Sequence, residues 1–313
     1  MLWDTLMPES LQWEVKTRPI YNYNGMEIPG KREVYRTDTE QHYGIVSPDY
    51  TPLQNASCAE FLSTVDGSVE KCGVFANGAK VWWVMKLPGS MVIAGEMIHK
   101  YSVMVNAHDG TLGFRWFVTP IRPRCSNMMN ILIKHAIDFN ISTRHTLNIA
   151  TRVEAARSIF GQVNDVYSEI EQAFTAMATI MFDSSELKKY VASVLQPTDQ
   201  EGTRFKTAMG IITENYYSDY IFTDWGAFNA VTKYLEHQRP LRGPGQDERR
   251  FSNSLFGVTV KAKQRAYDML QRSPDGRPNY FDYVGHRIKR DTGAATIASG
   301  IGSSGLGMDE EEG

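Results

Sequence analysis

Between Tyr101 and Asn106 the chain alternates, Tyr101, Val103 and Val105 being separated by Ser102, Met104 and Asn106. A period of two is that of a half-buried strand. His108-Asp109-Gly110-Thr111 carries turn chemistry, with Gly110 able to take a positive φ, and Leu112 to Arg124 returns as a second strand closed by Pro120 and Pro123. Met128 to Phe139 is apolar enough to form a buried helix. Ile149, Val153, Ala156, Phe160, Val163, Tyr167, Ile170, Phe174, Met177 and Met181 then follow a 4-3-4-3 spacing. That is the a/d stripe of a packed or coiled helix, predicted over 147–181 and about 50 Å long at roughly 1.5 Å per residue.

The same reading covers the rest of the chain. Residues 1–30, rich in proline and glycine, are expected to be a loop-rich arm. Arg32–Thr37 and Tyr43–Ser47 form a hairpin, and Asn55 or Ser57 caps a helix that runs to about Val65. Ser68–Phe75 and Lys80–Leu87 pair across Asn77-Gly78, a strong short turn signal. A further strand covers about 93–106. After Asp183-Ser184-Ser185-Glu186, a capping signature, helices are predicted at 187–195, 203–217, 224–238 and 248–272, with a linker at Pro240–Gly245. The fold class is therefore α+β: an antiparallel sheet with a preceding helix and a long following helix, then a helical C-terminal half. The expected organisation is an arm (1–30), a sheet core (31–146), a helical region (147–272) and a disordered acidic tail (273–313).

Composition adds little until charge is placed along the chain. The 313 residues carry a net charge of −3. However, 110–157 hold seven Lys/Arg against two acidic residues, 233–290 hold thirteen against six, and 291–313 hold five acidic residues and no basic one. Such asymmetry points to a polyanion partner or, more plainly, to two solvated basic faces and a solubilising tip. There is no run of eighteen apolar residues and no basic, apolar leader pattern. Cys58, Cys72 and Cys125 form no C-x-x-C pair, which fits a reducing compartment. The expected location is a reducing cytosol.

The catalytic templates are missing. The chain has no phosphate-binding G-x-x-x-x-G-K-[ST], no H-E-x-x-H, no G-x-S-x-G and no zinc-deaminase pattern. His108-Asp109 reads as turn chemistry rather than an acid–base pair, and His135, His145, His237 and His286 show no carboxylate constellation. No catalytic residue, metal or cofactor is expected. Binding signals are better: Lys80, Trp82, Trp83, Lys86, Arg115 and Trp116 put cations and indoles on strands. A single strand of nucleic acid is held by that combination. Trp82 and Trp83 point to opposite faces, so only one can serve a given face, and the competing reading puts both in the core. Arg122, Arg124, Lys134 and Arg144 lie around the strand-to-helix junction, where phosphates favour cations.

Several phrases occur together: Gly44-Ile45-Val46-Ser47 with Tyr50 and Leu53-Gln54-Asn55, His108-Asp109-Gly110, and Pro120-Ile121-Arg122 leading to Cys125-Ser126-Asn127. Further on come Phe228-Asn229-Ala230-Val231-Thr232-Lys233-Tyr234 with His237, and Phe256-Gly257 with Lys261. In this order, over about residues 30–275, they resemble the phage/plasmid-like family of domain of unknown function 932. That family usually reads Cys-x-Asn-Thr where this chain has Met128. The resemblance implies a bacteriophage or plasmid origin and no settled activity. The element order is also similar to the core of phage single-strand annealing proteins of the Red-beta and Erf kind. The tail, closing on Asp309, Glu310, Glu311 and Glu312, resembles the acidic tips of single-strand DNA-binding proteins, which recruit replication partners, but it lacks their final aromatic residue.

The expectation is a phage-encoded, oligomeric protein that binds or anneals single-stranded DNA in replication or recombination. The alternative is a protein-binding module, such as a host-takeover or defence-countering factor, that makes no contact with nucleic acid.

Overall fold

The computed structural model describes residues 3–122, 127–128, 141–143, 163–219, 221–241, 243 and 245–282. The expected α+β class holds. A short α1 (Trp3–Leu6) precedes a three-stranded antiparallel sheet, β1 (Val15–Tyr21), β2 (Glu27–Arg36) and β3 (His42–Val46), in that order. α2 (Asn55–Ser63) leads to the larger sheet, ordered β4 (Ser68–Phe75), β5 (Lys80–Ile93), β6 (Glu96–Ala107), β7 (Phe114–Arg122) and β8 (Asn127–Met128), with β9 (Ile141–Thr143) also on β7. The helices α3 (Val163–Thr179), α4 (Leu187–Leu195), α5 (Thr203–Ser218), α6 (Asp224–Lys233), α7 (Gln246–Phe256) and α8 (Val258–Leu270) follow. No helix among the described residues is long and apolar enough to cross a membrane.

Period-two patterning gives the larger sheet two buried faces. Val81, Trp83, Met85, Met104 and Trp116 point to one side, where they meet Phe61 and Leu62 of α2 and the stripe of α3. Trp83 Nε1 donates to Leu6 O at 2.7 Å and so fastens α1 to the sheet. Phe75, Trp82, Val84, Val103 and Val105 point to the other side, under Phe251 and Leu255 of α7. Strands covered on both faces lose the clean alternation that one solvated face would show.

The expected arm is not loose. Residues 15–21 are β1, paired with β2, and Gln54 clamps the backbone of Val15, accepting from its N at 3.0 Å and donating to its O at 2.9 Å. Nor is there a division of the core at 146/147, because one apolar cluster runs from Leu6 to Tyr280 and takes in both sheet and helices. The tail boundary expected at 273 also moves: Tyr280 is buried against Phe182 and Tyr190.

The described part of the heptad packs within this chain. Val166, Tyr167, Ile170, Phe174 and Met177 are buried, Phe174 lying 4.8 Å from the Trp225 ring of α6. Tyr167 reaches into the ladder between β6 and β7: its hydroxyl accepts from Tyr101 N at 2.8 Å and donates to Tyr101 O at 2.5 Å. The helix stops at Thr179, and Met181, expected to extend the stripe, is 72% exposed in a bridge to Thr223. The rest of the stripe, 149–160, lies outside the described residues, as does all but Met128 of the helix expected over 128–139. The last predicted helix, 248–272, is broken into α7 and α8 at Gly257, whose backbone is extended (φ −99°, ψ −160°). A Cβ there would come 2.4 Å from Asn253 Oδ1, so this close turn requires glycine.

Candidate nucleic-acid interface and an adjoining cleft

Alternation along β5 turns Lys80, Trp82 and Lys86 to the same side of the sheet. The register Trp82–Val105–Arg115 carries that side across to β7. Four of the residues expected to bind nucleic acid therefore share one face. Trp83 and Trp116 do not: they are on the opposite face and fully buried, so neither ring is open to a base. The reason is packing, since each indole buries a large apolar area that a core needs, and Trp116 lies edge-on to Phe61 at 6.1 Å.

On the shared face the residues differ in state. Lys80 Nζ sits 3.2 Å from the Asp109 carboxylate, so its charge is already matched. Trp82 is closed between Phe75, stacked at 5.7 Å, and Phe251, edge-on at 4.6 Å, and is no platform either. Lys86 and Arg115 have no carboxylate at ion-pair distance among the described residues. Arg115 is half buried with Nε unpaired, and that burial lowers its pKa from the ordinary arginine value. α7 covers the centre of the face, leaving Lys86 and Arg115 on strands to either side of β6. Arg122 belongs to β7 by its backbone; Arg124, Lys134, Arg144 and the tail residues Asp309, Glu310, Glu311 and Glu312 lie outside the described residues.

His108 proves to be turn and core chemistry. It is fully buried, its Nε2 lies 3.0 Å from Asn55 Oδ1, and its ring stacks on Tyr43. Asp109 closes the turn by accepting from Thr111 N and Oγ1 at 2.9 and 2.6 Å. The neighbouring phrases serve the same joint. Tyr50 Oη donates to Ala107 O at 3.2 Å, Asn106 Nδ2 donates to Leu53 O at 2.9 Å, and a Cβ on Gly44 would come 2.8 Å from Asp109 O. Together they lock the small sheet to the large one.

His237 needs a correction, for a carboxylate does accompany it. The helical run from α6 widens into a π-turn at Tyr234–Gln238, a feature that often marks functional sites. Glu236 is buried there, its Oε1 accepting from the fully buried Lys263 Nζ at 2.5 Å and its Oε2 lying 3.7 Å from His237 Nε2. His237 opens on a cleft of about 360 Å³ between α7 and the sheet, floored by Val84, Tyr101 and Phe251 and rimmed by Glu70, Lys71, Asp247 and Arg250. A half-exposed imidazole beside a fixed carboxylate can hold or pass a proton. The sequence shows Glu236-His237 as neighbours, but Lys263 and the cleft are contributed by other elements. Among the described residues no three of His, Cys, Asp or Glu come together as a metal site.

Fold and site thus define an α+β protein whose large antiparallel sheet is clamped between helices and whose outer face carries two cations with no carboxylate partner among the described residues. The family model described as a domain of unknown function (DUF932) matches residues 42–256, and the chain belongs to that family. Neither a curated protein nor a solved structure matches it at a significant level.

Proposed function

We propose that the chain binds single-stranded DNA and promotes strand annealing in the replication or recombination of a phage, acting in the cytoplasm of the bacterial host. The observation that carries this reading is the pair Lys86 and Arg115, cations on one sheet face with no carboxylate counter-ion among the described residues, Arg115 being half buried as well. An unmatched guanidinium with that much burial is stabilised by an anion that brings its own acceptors, and phosphate is the anion whose geometry it fits. Cations do the holding in this reading, since Trp82, Trp83 and Trp116 are all engaged in packing. Assembly into oligomers and recruitment of replication proteins by the acidic tip belong to the same proposal. The helix stripe at 163–177 is spent inside the chain, so contacts between copies would use other surfaces.

The test is fluorescence anisotropy with a labelled single-stranded oligonucleotide at two salt concentrations, for the full chain and for a chain ending at Gly300. Binding that weakens with salt and strengthens on loss of the tip supports the reading; no binding by either chain at low salt sinks it. The protein-binding alternative has one specific observation in its favour, the exposed apolar side chains near Met26. Salt-insensitive capture of one defined protein would move the balance to it.

A further inference from the structure

β1 and β2 continue beyond the reach of β3, which pairs only with Arg32–Tyr35. What remains is a two-stranded ribbon with an exposed tip: Tyr21 is 58% exposed, Tyr23 97% and Met26 59%, and residues 23–31 are all exposed. Isolated two-stranded ribbons are marginal in water, yet this tip is well built. Asn22 Oδ1 accepts from Asn24 N and Met26 N, both at 3.0 Å, while Asn22 N donates to Met26 O at 2.8 Å. Gly25 completes the turn at φ +76°. Tyr23 is therefore held at the apex of a pinned turn where its ring contributes no packing.

Between Pro19–Arg32 and Tyr21–Glu27 the register slips, so that Ile20 faces the four residues Ile28 to Lys31. A bulge with a proline in it blocks edge pairing with another strand, which leaves side chains, not backbone, as the recognising groups. The charge is one-sided: residues 15–36 hold five Lys/Arg against two Glu. Of these, Arg18 is spent on Glu33 and Glu40, Arg36 on Asp38, and Lys16 lies 3.8 Å from Glu14. Lys31 and Arg32 have no carboxylate partner among the described residues, the Arg32 guanidinium donating to Thr17 Oγ1 and O at 3.0 and 3.2 Å. Two copies of such a ribbon would repel in a symmetric contact. A single strand supplies both of the missing partners, planar bases for the rings and phosphates for the cations.

We infer that the ribbon tip, with Tyr21 and Tyr23 as stacking rings and Lys31 and Arg32 as phosphate contacts, is the base-binding arm of this protein. The inference rests on the single-strand reading above and assigns to tyrosines the stacking that the buried tryptophans do not perform.

The experiment is anisotropy with a labelled oligothymidylate on the full chain and three variants: Tyr21→Ala with Tyr23→Ala, Tyr21→Phe with Tyr23→Phe, and Lys86→Ala with Arg115→Ala. Light scattering and melting curves accompany each. The alanine pair is expected to lose affinity by roughly five-fold or more per ring, with an unchanged melting curve and salt slope, and the phenylalanine pair to retain it. An alanine pair that binds like the parent while the cation pair is weakened overturns the arm and leaves the single-strand reading standing. If the parent itself does not bind at low salt, both fall. A change of oligomeric mass in the alanine pair would make the tip a contact between copies and also overturn the inference.

Discussion

Asp224 shows what one residue costs and gives. It lies at the start of α6, almost wholly buried and paired with Arg272. Burial pushes its carboxyl up to about 6, and Arg272 offsets only part of that. Because the folded protein then holds the proton more tightly than the unfolded chain, Asp224's contribution is full below the unfolded pKa near 3.8 and is lost as pH rises through about 6. In urea unfolding at pH 4, 5, 6 and 7, the parent should lose stability relative to Asp224→Asn by about 1–3 kcal/mol across that window. A difference that is flat with pH would refute this. Tyr167 gives a second test. Tyr167→Phe removes the hydroxyl that serves Tyr101 N and O, and a buried amide left without a partner costs about 1–3 kcal/mol, readable in the same unfolding experiment. Gly226 shows the limit of sequence pattern at this scale. A Cβ there would fall 1.6 Å from Ile221 O, a collision with the backbone five residues upstream, at the entry to α6, that apolar periodicity does not announce.

At the scale of elements, the strands and most helix starts were legible because their causes are local. The hairpin across Asn77-Gly78 forms, with Ala76, Asn77 and Gly78 all at positive φ. Asp183 caps as its sequence suggests, accepting from Ser185 N at 2.9 Å. Two of the departures have a non-local cause. The early end of α3, where Met181 bridges to Thr223, and the π-turn each answer to a neighbour that arrives from far along the chain, whereas the split at Gly257 is local. The π-turn depends most on its neighbour, since Glu236 is held by Lys263 on α8. Lys263→Met leaves a buried carboxylate without its cation and should destabilise the protein by about 3–5 kcal/mol, whereas adding Glu236→Leu should recover most of that loss. If the double variant is no better than the single one, the pair is not what anchors the turn.

At the scale of the molecule, the larger sheet has α2 and α3 on one side and α7 on the other, so its two faces do different work. One is core from Val81, Trp83 and Met85 across Met104 to Trp116. The other is core in the middle, under Phe251 and Leu255, with Lys86 and Arg115 beside it, neither having a carboxylate at ion-pair distance among the described residues. If that face holds phosphates, the slope of log affinity against log salt should fall by about 0.7 for each cation removed in Lys86→Ala and Arg115→Ala. Equal slopes in parent and variants would place the phosphate contacts elsewhere. The site was half legible for the same reason as the fold. Which residues of one strand share a face follows from a period of two, so Lys80, Trp82 and Lys86 group from the sequence, whereas Arg115 joins them only through the register of the sheet. Whether a residue on that face is free depends on what lands on it.

The sequence alone determined the α+β class and the strands of the larger sheet from Ser68 to Arg122, because backbone preference and apolar periodicity act over a few residues, whereas β1 and the start of β2 read as part of a loop-rich arm. It also settled that Trp82 and Trp83 oppose each other. Tertiary structure decided the rest. It buried Trp83 and Trp116, closed Trp82 between two phenylalanines, matched Lys80 to Asp109, and turned the stripe of α3 inward. It left Tyr21 and Tyr23 in the open on a ribbon that reads as an ordinary loop-rich arm. Burial is set by the shape of everything else in the chain, and a residue's neighbours in sequence hold no record of which distant surface will cover it.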